Sequence, residues 1–335
     1  MILHNFLNRR LSIRNLSDEQ FESIVDQLAQ ELEQYPFIPQ YTEEDLRTDW
    51  IKLVRWNSSD NHINSTSRIG MKLCEHFFPN FYDIENSKGE SFSNLWKKQN
   101  LIKILRWNRK SHSTPYLTEL KRGVYFCLGL TKNTMYRPQI AKLICNRFKP
   151  RVVLDPCAGW GGRMLGVTSS GAKYIAFEPN TKTFEHLNEL AEFCGIQHQV
   201  HLICDDALNM PKYDFAPVDL ILTSPPYFDL EVYCKEDTQS IKNYQQYEAW
   251  SEGFLKYLIQ LCIERSTKNS ISCWNVGKVR GHDMNDDVLK YHQELNYQKY
   301  DEFNVVSSKR QALQNGNNVK SLDTTIVYKS DRNNS

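Results

Sequence analysis

The chain has 335 residues, of which 40% are hydrophobic and 24% charged, and its net charge is +1. No apolar run reaches the ~18–20 residues of a membrane span. The first residues lack the charged-then-apolar order of a secretory leader, so the expectation is an intracellular, cytoplasmic protein without membrane contact. Nine cysteines form no CxxC pair and no His/Cys cluster at zinc spacing. This predicts a reducing compartment and no metal, with Cys157, Cys204 and Cys273 serving as small core residues.

The near-neutral total hides an asymmetry. Residues 1–50 carry −6, residues 51–150 carry +12 and residues 151–335 carry −5. Within 86–150, 14 basic residues stand against Glu90 and Glu119 alone, threaded with Trp96, Trp107, Tyr116, Tyr125 and Tyr136. Basic and aromatic residues together suit a surface that contacts a phosphate backbone, with Arg106, Trp107, Arg109 and Lys110 at its centre. A solvated helical face accounts for the same charge.

The elements begin as helices. Ser17 and Gln20 form a capping-box pattern ahead of Phe21, Ile24, Val25, Leu28 and Leu32 at helical spacing, and Tyr35-Pro36 ends that helix. Thr42 and Asp45 open a second, with Leu46, Trp50, Leu53 and Val54 expected on one face. IKLVRWN at 51–57 returns as IKILRWN at 102–108, identical at five of seven positions; two copies of a small helical unit and chance likeness explain this equally. Residues 57–67 and 86–91 read as loops.

From Tyr136 the pattern alternates. A helix opening at Pro138 buries Ile140, Leu143 and Ile144 and ends before Lys149-Pro150. Strands follow at about 151–154, 173–177, 199–203, 218–223, 270–276, 302–307 and 324–329, with helices between most of them and an antiparallel pairing of the last two. This predicts a mostly parallel, Rossmann-like α/β sheet that binds ligands at the carboxyl ends of its strands. The division expected is a mainly helical region over 1–115, the candidate for nucleic-acid recognition, and a catalytic domain over 116–335.

Two motifs lie at strand ends. In LDPCAGWGG, residues 154–162, Asp155 closes a buried strand, and Gly159, Gly161 and Gly162 let the backbone turn tightly against a ligand. A helix over 163–168 points its amino end the same way; Cys157 counts with this turn. Glu178 ends the next strand 19 residues past Gly159, where a carboxylate suits bidentate bonding to ribose hydroxyls. Asp205 and Asp206 end the third strand, either suited to an adenine amino group. A nicotinamide site would need glycine where Met164 stands.

The second motif is TSPPYF, residues 223–228. An exocyclic amine on a base is a poor nucleophile because its lone pair is delocalised into the ring. Acceptors that hold both its N–H bonds favour a tetrahedral nitrogen. The Ser224 hydroxyl can accept one bond and the Pro225 carbonyl another, while Pro226 keeps the preceding residue extended. Tyr227 offers a ring for stacking and Phe228 a neighbouring wall. The alternative is a rigid turn after a strand.

DPCAGWGGR, FEPN, CDDAL and TSPPYF, in that order, resemble the DNA amino-methyltransferases that modify cytosine N4 or adenine N6, across roughly 136–330. The resemblance implies a seven-stranded sheet with its last strand antiparallel and S-adenosylmethionine as cofactor. Asp155 and Gly159 would then flank the methionine moiety, Glu178 the ribose, and residues 224–227 the target base. It also implies DNA methylation of the restriction–modification kind on a flipped-out base. RPQIAK at 137–142 is similar to the family's segment over the methionine end. Ser224, where many adenine-N6 enzymes have Asp, places cytosine N4 ahead of adenine N6. Lys309 and Arg310, in the loop 307–320, are second candidates for holding the strand, and Tyr233 and Lys235 for a flap over the pocket. The rival readings are methylation of an RNA base, methylation of a protein glutamine, and an inactive nucleic-acid-binding subunit.

Overall fold

The computed structural model describes residues 2–8, 10–111, 117–228, 244, 246–279, 281–308 and 320–330. Lys309, Arg310, Tyr116, Tyr233 and Lys235 lie outside the described residues. The chain divides into two compact units, one of Met1–Gln40 with Pro79–Thr134, the other of Tyr41–Phe78 with Met135–Ser335. This differs from the division expected at 115/116: residues 41–78 belong with the sheet. No helix of the described residues is long and apolar enough to cross a membrane.

The first unit is helical. Helices Asp18–Gln34 and Lys98–Lys110 pack through Leu28, Leu32, Leu101, Ile104 and Leu105, all buried. The capping box at the first is formed, Gln20 N–H donating to Ser17 Oγ at 3.2 Å and Ser17 N–H to Gln20 Oε1 at 2.9 Å. Buried Trp96 donates its indole N–H to the Leu32 carbonyl at 3.1 Å, fixing the chain at the end of that helix. Across the helix pair run Arg109–Asp18 at 2.7 Å, Arg106–Glu22 at 2.6 Å, Lys98–Asp26 at 2.7 Å and Lys97–Glu33 at 3.7 Å. The acidic excess of the amino-terminal segment thus faces part of the basic excess of 86–150.

The second unit is built on one sheet of eight strands. In chain order the strands are β1 His62–Asn64, β2 Val152–Asp155, β3 Lys173–Phe177, β4 Val200–Ile203, β5 Val218–Thr223, β6 Ser266–Asn275, β9 Tyr297–Val306 and β10 Ser321–Ser330; β7 Lys278–Val279 and β8 His282–Asp283 form a separate ribbon. The order across the sheet is β1-β9-β10-β6-β5-β2-β3-β4. β10 runs antiparallel to both β6 and β9, and the other pairings are parallel. This is the expected Rossmann-like class I methyltransferase sheet with one addition. The Asn/Ser-rich stretch read as loop contributes β1, whose His62, Ile63 and Asn64 pair with Asn304, Val305 and Val306. Three residues, of which only Ile63 favours a strand, are too few to carry a readable alternation; the ladder of β9 supplies the pairing.

Both faces of the central strands are covered, so β2 and β5 are nearly continuous apolar runs, with Val153, Leu154, Leu220, Ile221 and Leu222 buried. Cys273 on β6 is buried as expected, but Cys204 is exposed and Cys157 half-buried. Helix Glu43–Arg55 buries Leu46, Asp49 and Leu53, whereas Val54, expected on that face, is 45% exposed. Its counterpart in the second copy of the seven-residue echo, Leu105, is fully buried. The two copies lie in different units; both bury the third position, Leu53 and Ile104, but only the second also buries the fourth.

RPQIAK forms the start of helix Pro138–Phe148. Its polar groups tie this helix to the 41–78 segment: Arg137 donates to the Ser67 carbonyl at 2.7 Å, and Lys142 to the Leu53 and Val54 carbonyls, both at 2.7 Å. The helix also lies against Gly162–Thr168. A Cβ on Gly166 would sit 2.2 Å from the Pro138 carbonyl oxygen and 2.5 Å from the Ala141 Cβ, and one on Gly162 would sit 2.1 Å from the Tyr136 carbonyl oxygen. These obstacles are backbone or short side chain and cannot swing away. Gly166→Ala is therefore expected to cost about 1–3 kcal/mol, read as a lowered urea midpoint at unchanged slope; an unchanged midpoint would refute the close approach.

Candidate active site

β2→β3→β4 wind one way from the centre of the sheet and β5 lies on the other side, so the carboxyl ends of β2 and β5 flank the point where strand order reverses. Open α/β sheets bind ligands at such a point. Both sequence motifs emerge there, side by side. Val153 and Leu154 pair with Leu220 and Ile221, and at the strand tips the Thr223 hydroxyl donates to Asp155 Oδ1 at 2.9 Å.

Asp155 is fully buried. Its Oδ1 also accepts from the Cys157 N–H at 3.1 Å, and its Oδ2 accepts from Arg163 Nε and the Tyr174 hydroxyl, both at 2.6 Å. Arg163, itself 5% exposed, donates further to the carbonyls of Cys157 and Ala158 and lies 5.2 Å over the Tyr136 ring. Burial opposes charge on the guanidinium, but the Asp155 carboxylate beside it raises its pKa above the ordinary arginine value. Asp155 therefore points inward and holds the turn from beneath. The lone pairs of this residue, which the resemblance sets beside the methionine moiety, are committed to the protein.

The turn above it is left open. Gly159 has φ +57, and a Cβ there would meet nothing nearer than 3.8 Å. Gly161, φ +71, is different: a Cβ would press on Leu190 at 2.7 Å and on the Phe78 ring at 2.9 Å. The first glycine leaves room for a ligand, the second for core.

Glu178, at the tip of β3, reaches back to the turn. Its Oε2 accepts the Gly159 N–H at 2.9 Å and its Oε1 the Asn180 N–H at 3.0 Å, so each oxygen holds one main-chain donor and can accept another. Burial raises this carboxyl to about 7, against the lowering effect of those two N–H donors. At the tip of β4 the two aspartates separate. Asp205 accepts from the Asn209 amide, the Tyr213 hydroxyl and the Asp206 N–H, each at 2.8 Å. Burial works against its ionisation, but these donors hold its pKa below the usual value. Asp206 caps the following turn through Oδ1 to the Leu208 N–H at 2.9 Å, and burial raises its pKa.

At the β5 tip Ser224, Pro226 and Tyr227 are half-buried and Pro225 is buried. Phe228, expected from sequence as a wall beside the base, lies in the core. It is 6% exposed, packs on Tyr247 and Trp250 with ring centroids 5.7 and 5.9 Å away, and adopts φ +45, a conformation rare for a bulky residue. It anchors the TSPPYF segment in the core. Sequence reasoning missed Asn275, at the end of β6: Ser224 Oγ and the Tyr227 hydroxyl both donate to its Oδ1 at 3.3 Å. It missed Arg163 and Tyr174 as well; only the tertiary fold brings them to Asp155. In the other unit, Arg106 and Arg109 are already ion-paired, Trp107 is half-buried and Lys110 is exposed.

Residues 150–264 match the family described as RNA cap guanine-N2 methyltransferases. This stretch contains both motifs, and it corrects the resemblance to DNA amino-methyltransferases. The correction has a physical basis: a turn for the cofactor and acceptors for an amine are the same whether the base is carried on DNA or RNA. No curated protein matches the chain significantly. Among solved structures, it is similar to TrmN from Thermus thermophilus, at 16% identity and a TM-score of 0.39, over 58% of this chain and 48% of that one. It is also similar to a putative rRNA methylase from Clostridium thermocellum, at 13% identity and a TM-score of 0.39, over 59% and 99%. A putative methyltransferase from Streptococcus mutans in complex with SAH gives 17%, 0.38, 58% and 99%. TM-scores this low carry no argument; the fold class rests on the strand order. The matched family supports S-adenosylmethionine as the cofactor, and the open face of Gly159 and the uncommitted acceptor capacity of Glu178 fit it.

Two outcomes follow from this geometry. Asp155→Ala would strand the buried Arg163 charge, an expected loss of about 3–5 kcal/mol in urea unfolding; a loss below about 1 kcal/mol would show the pair is dispensable. For Glu178, the raised pKa means that folding favours its neutral form, so its own contribution to stability declines as pH rises from about 4.5 to about 7. Ribose hydroxyls, were they bound here, would instead donate to the ionised form. Calorimetric affinity for S-adenosylhomocysteine should therefore strengthen about tenfold between pH 6 and pH 8, with proton release on binding, and Glu178→Gln should be weak and flat with pH. A flat wild-type profile would remove Glu178 from the ribose site.

Proposed function

We propose that this protein transfers a methyl group from S-adenosylmethionine to the exocyclic amine of a base in RNA. The observation that carries the proposal is the junction of the cofactor turn and the amine clamp at adjoining strand tips, bolted together by Thr223 and Asp155. The family match over 150–264 supports RNA, and among RNA amines guanine N2, the one it names.

When bound, the cofactor supplies an electrophilic methyl group on a sulfonium, so the protein needs neither a covalent intermediate nor a metal to activate it. Glu178 accepts the ribose hydroxyls, and Asp206 the adenine amino group, since Asp205 is engaged by Asn209 and Tyr213. Gly159 brings bare main chain against the methionine end, while Cys157 and Gly161 shape the turn. Ser224 and the Pro225 carbonyl accept the two N–H bonds of the amine, Pro226 keeps that segment extended, and Tyr227 stacks on the base. Bases in loops and single strands are already unstacked, which lowers the cost of bringing one to the clamp. Within the helical unit, contact with RNA is assigned to Trp107 and Lys110 rather than to Arg106 and Arg109, whose charges are paired.

The test is incubation with labelled S-adenosylmethionine and separate RNA, DNA and protein acceptors, followed by nucleoside mass spectrometry. A methylated exocyclic amine in RNA is expected. Ser224→Ala should leave S-adenosylhomocysteine binding intact and cut transfer by roughly 10²–10³, the usual effect of deleting one transition-state hydrogen bond. Label found only in DNA or protein, or full activity of the variant, would overturn the proposal.

A further inference from the structure

The clamp has a chemical ambiguity. A hydroxyl can donate as well as accept, and a Ser224 that pointed its proton at the substrate, or a Tyr227 proton turned the same way, would repel the N–H bond that Ser224 has to hold. The structure contains a device that removes this ambiguity. Asn275, 5% exposed, stands behind both hydroxyls at the end of β6. Its amide nitrogen donates to Asp323 Oδ1 at 2.7 Å and to the Thr324 carbonyl at 2.9 Å, both on β10. Neither partner can donate in return, since one is a carboxylate and the other a carbonyl. The amide orientation is thereby fixed: nitrogen towards β10, oxygen towards the clamp. That oxygen has no proton to give, so the Ser224 and Tyr227 hydroxyls donate to it, at 3.3 Å each.

We infer that Asn275, locked by Asp323, is a positioning residue that commits the Ser224 hydroxyl to accept a hydrogen bond from the substrate amine and keeps the Tyr227 hydroxyl proton turned away from it. This deepens the proposed amine-transfer reading and rests on it. With its proton drawn backwards, Ser224 presents only lone pairs to the pocket. The site is then matched to a group that offers two N–H donors, a primary aromatic amine, and mismatched to a carbonyl or a ring nitrogen that lacks a proton. The antiparallel insertion of β10 beside β6 acquires a role here: Thr325 pairs with Asn275, which brings Asp323 and the Thr324 carbonyl within reach of the amide.

A swap of the pair tests this. Asp323→Asn keeps an oxygen for the Asn275 amide and should change kcat less than about threefold. Asn275→Asp removes the donor and sets two carboxylates together, so kcat should fall at least tenfold and acquire a pH dependence absent from the wild type. The double variant Asn275→Asp with Asp323→Asn restores a donor facing an acceptor and should recover most of the loss. KM for S-adenosylmethionine and thermal stability are followed throughout, because a merely structural role would move those and would not be rescued in kcat alone. A double variant no better than Asn275→Asp, or a fully active Asn275→Ala, overturns the inference while leaving the amine reading intact. Wild-type transfer to oxygen or carbon overturns the amine reading itself. Independently of any acceptor substrate, the Asn275 side-chain amide protons should exchange slowly with solvent in wild type and Asp323→Asn; fast exchange in wild type would show that the orientation is not fixed.

Discussion

A buried carboxylate that must be satisfied organises this site. Asp155 carries its charge at a position without solvent, and burying an ion is costly unless it is paired and hydrogen-bonded. The fold meets that demand from several places: Arg163 on the helix after the turn, Tyr174 from β3, Thr223 from β5 and the Cys157 main chain from the turn itself. Each donor is a constraint on the element that bears it. The requirement that keeps Asp155 solvated by protein therefore also constrains the register of β2, β3 and β5 and the start of one helix. Arg163, in turn, holds the carbonyls of Cys157 and Ala158, so the turn is shaped from within while Gly159 stays open above it.

The same economy appears in the helical unit, with opposite meaning for function. A run of basic residues read along the chain looks like a nucleic-acid surface. In three dimensions Arg106 and Arg109 meet Glu22 and Asp18, 84 and 91 residues away in sequence. Arg109 also donates to the Ile13 and Leu16 carbonyls and sits 4.8 Å over the Phe21 ring. These arginines fasten two helices together. Exposed ion pairs of this kind contribute little stability each, but they withdraw charge from any partner. Part of the uneven charge of the first 150 residues is therefore a record of how two helices recognise each other.

What could be read from the sequence follows from the range over which each signal acts. The strands showed because a buried parallel strand is a short apolar run ended by a charged or small residue, and β2, β3 and β5 each meet that description. Gly159 and Glu178 showed because a turn and the next strand tip have a fixed spacing. Ser17 and Thr42 showed because capping is local. β1 did not, since three residues in a polar stretch pair only when β9 is already in place. Asn275 did not, since a lone amide after Trp274 has no pattern of its own and gains its role from Asp323 across the β6–β10 pairing. Phe228 was legible as an aromatic beside the clamp but not as a buried one, because the residues that cover it, Tyr247 and Trp250, come from the next described helix and share no local pattern with it.

Serine at the head of the clamp invites a reading in terms of which base is methylated, yet the electrostatics of the site supply a reason that does not depend on the base. Two carboxylates, Asp155 and Glu178, are already buried at this edge of the sheet, and Asp155 is among the influences that raise the Glu178 pKa. A third negative charge at position 224, one residue beyond the Thr223 that bonds Asp155, would push Glu178 further towards its neutral form. A neutral Glu178 is a poorer acceptor for ribose hydroxyls at ordinary pH. An aspartate in the clamp would thus strengthen the grip on the amine and weaken the grip on the cofactor. Serine avoids that conflict, provided its proton is turned away from the substrate, which is the position Asn275 gives it. Neither consideration refers to the sugar or the strand that carries the base, so the clamp alone does not distinguish DNA from RNA; that distinction has to be made by surfaces beyond the reacting atoms.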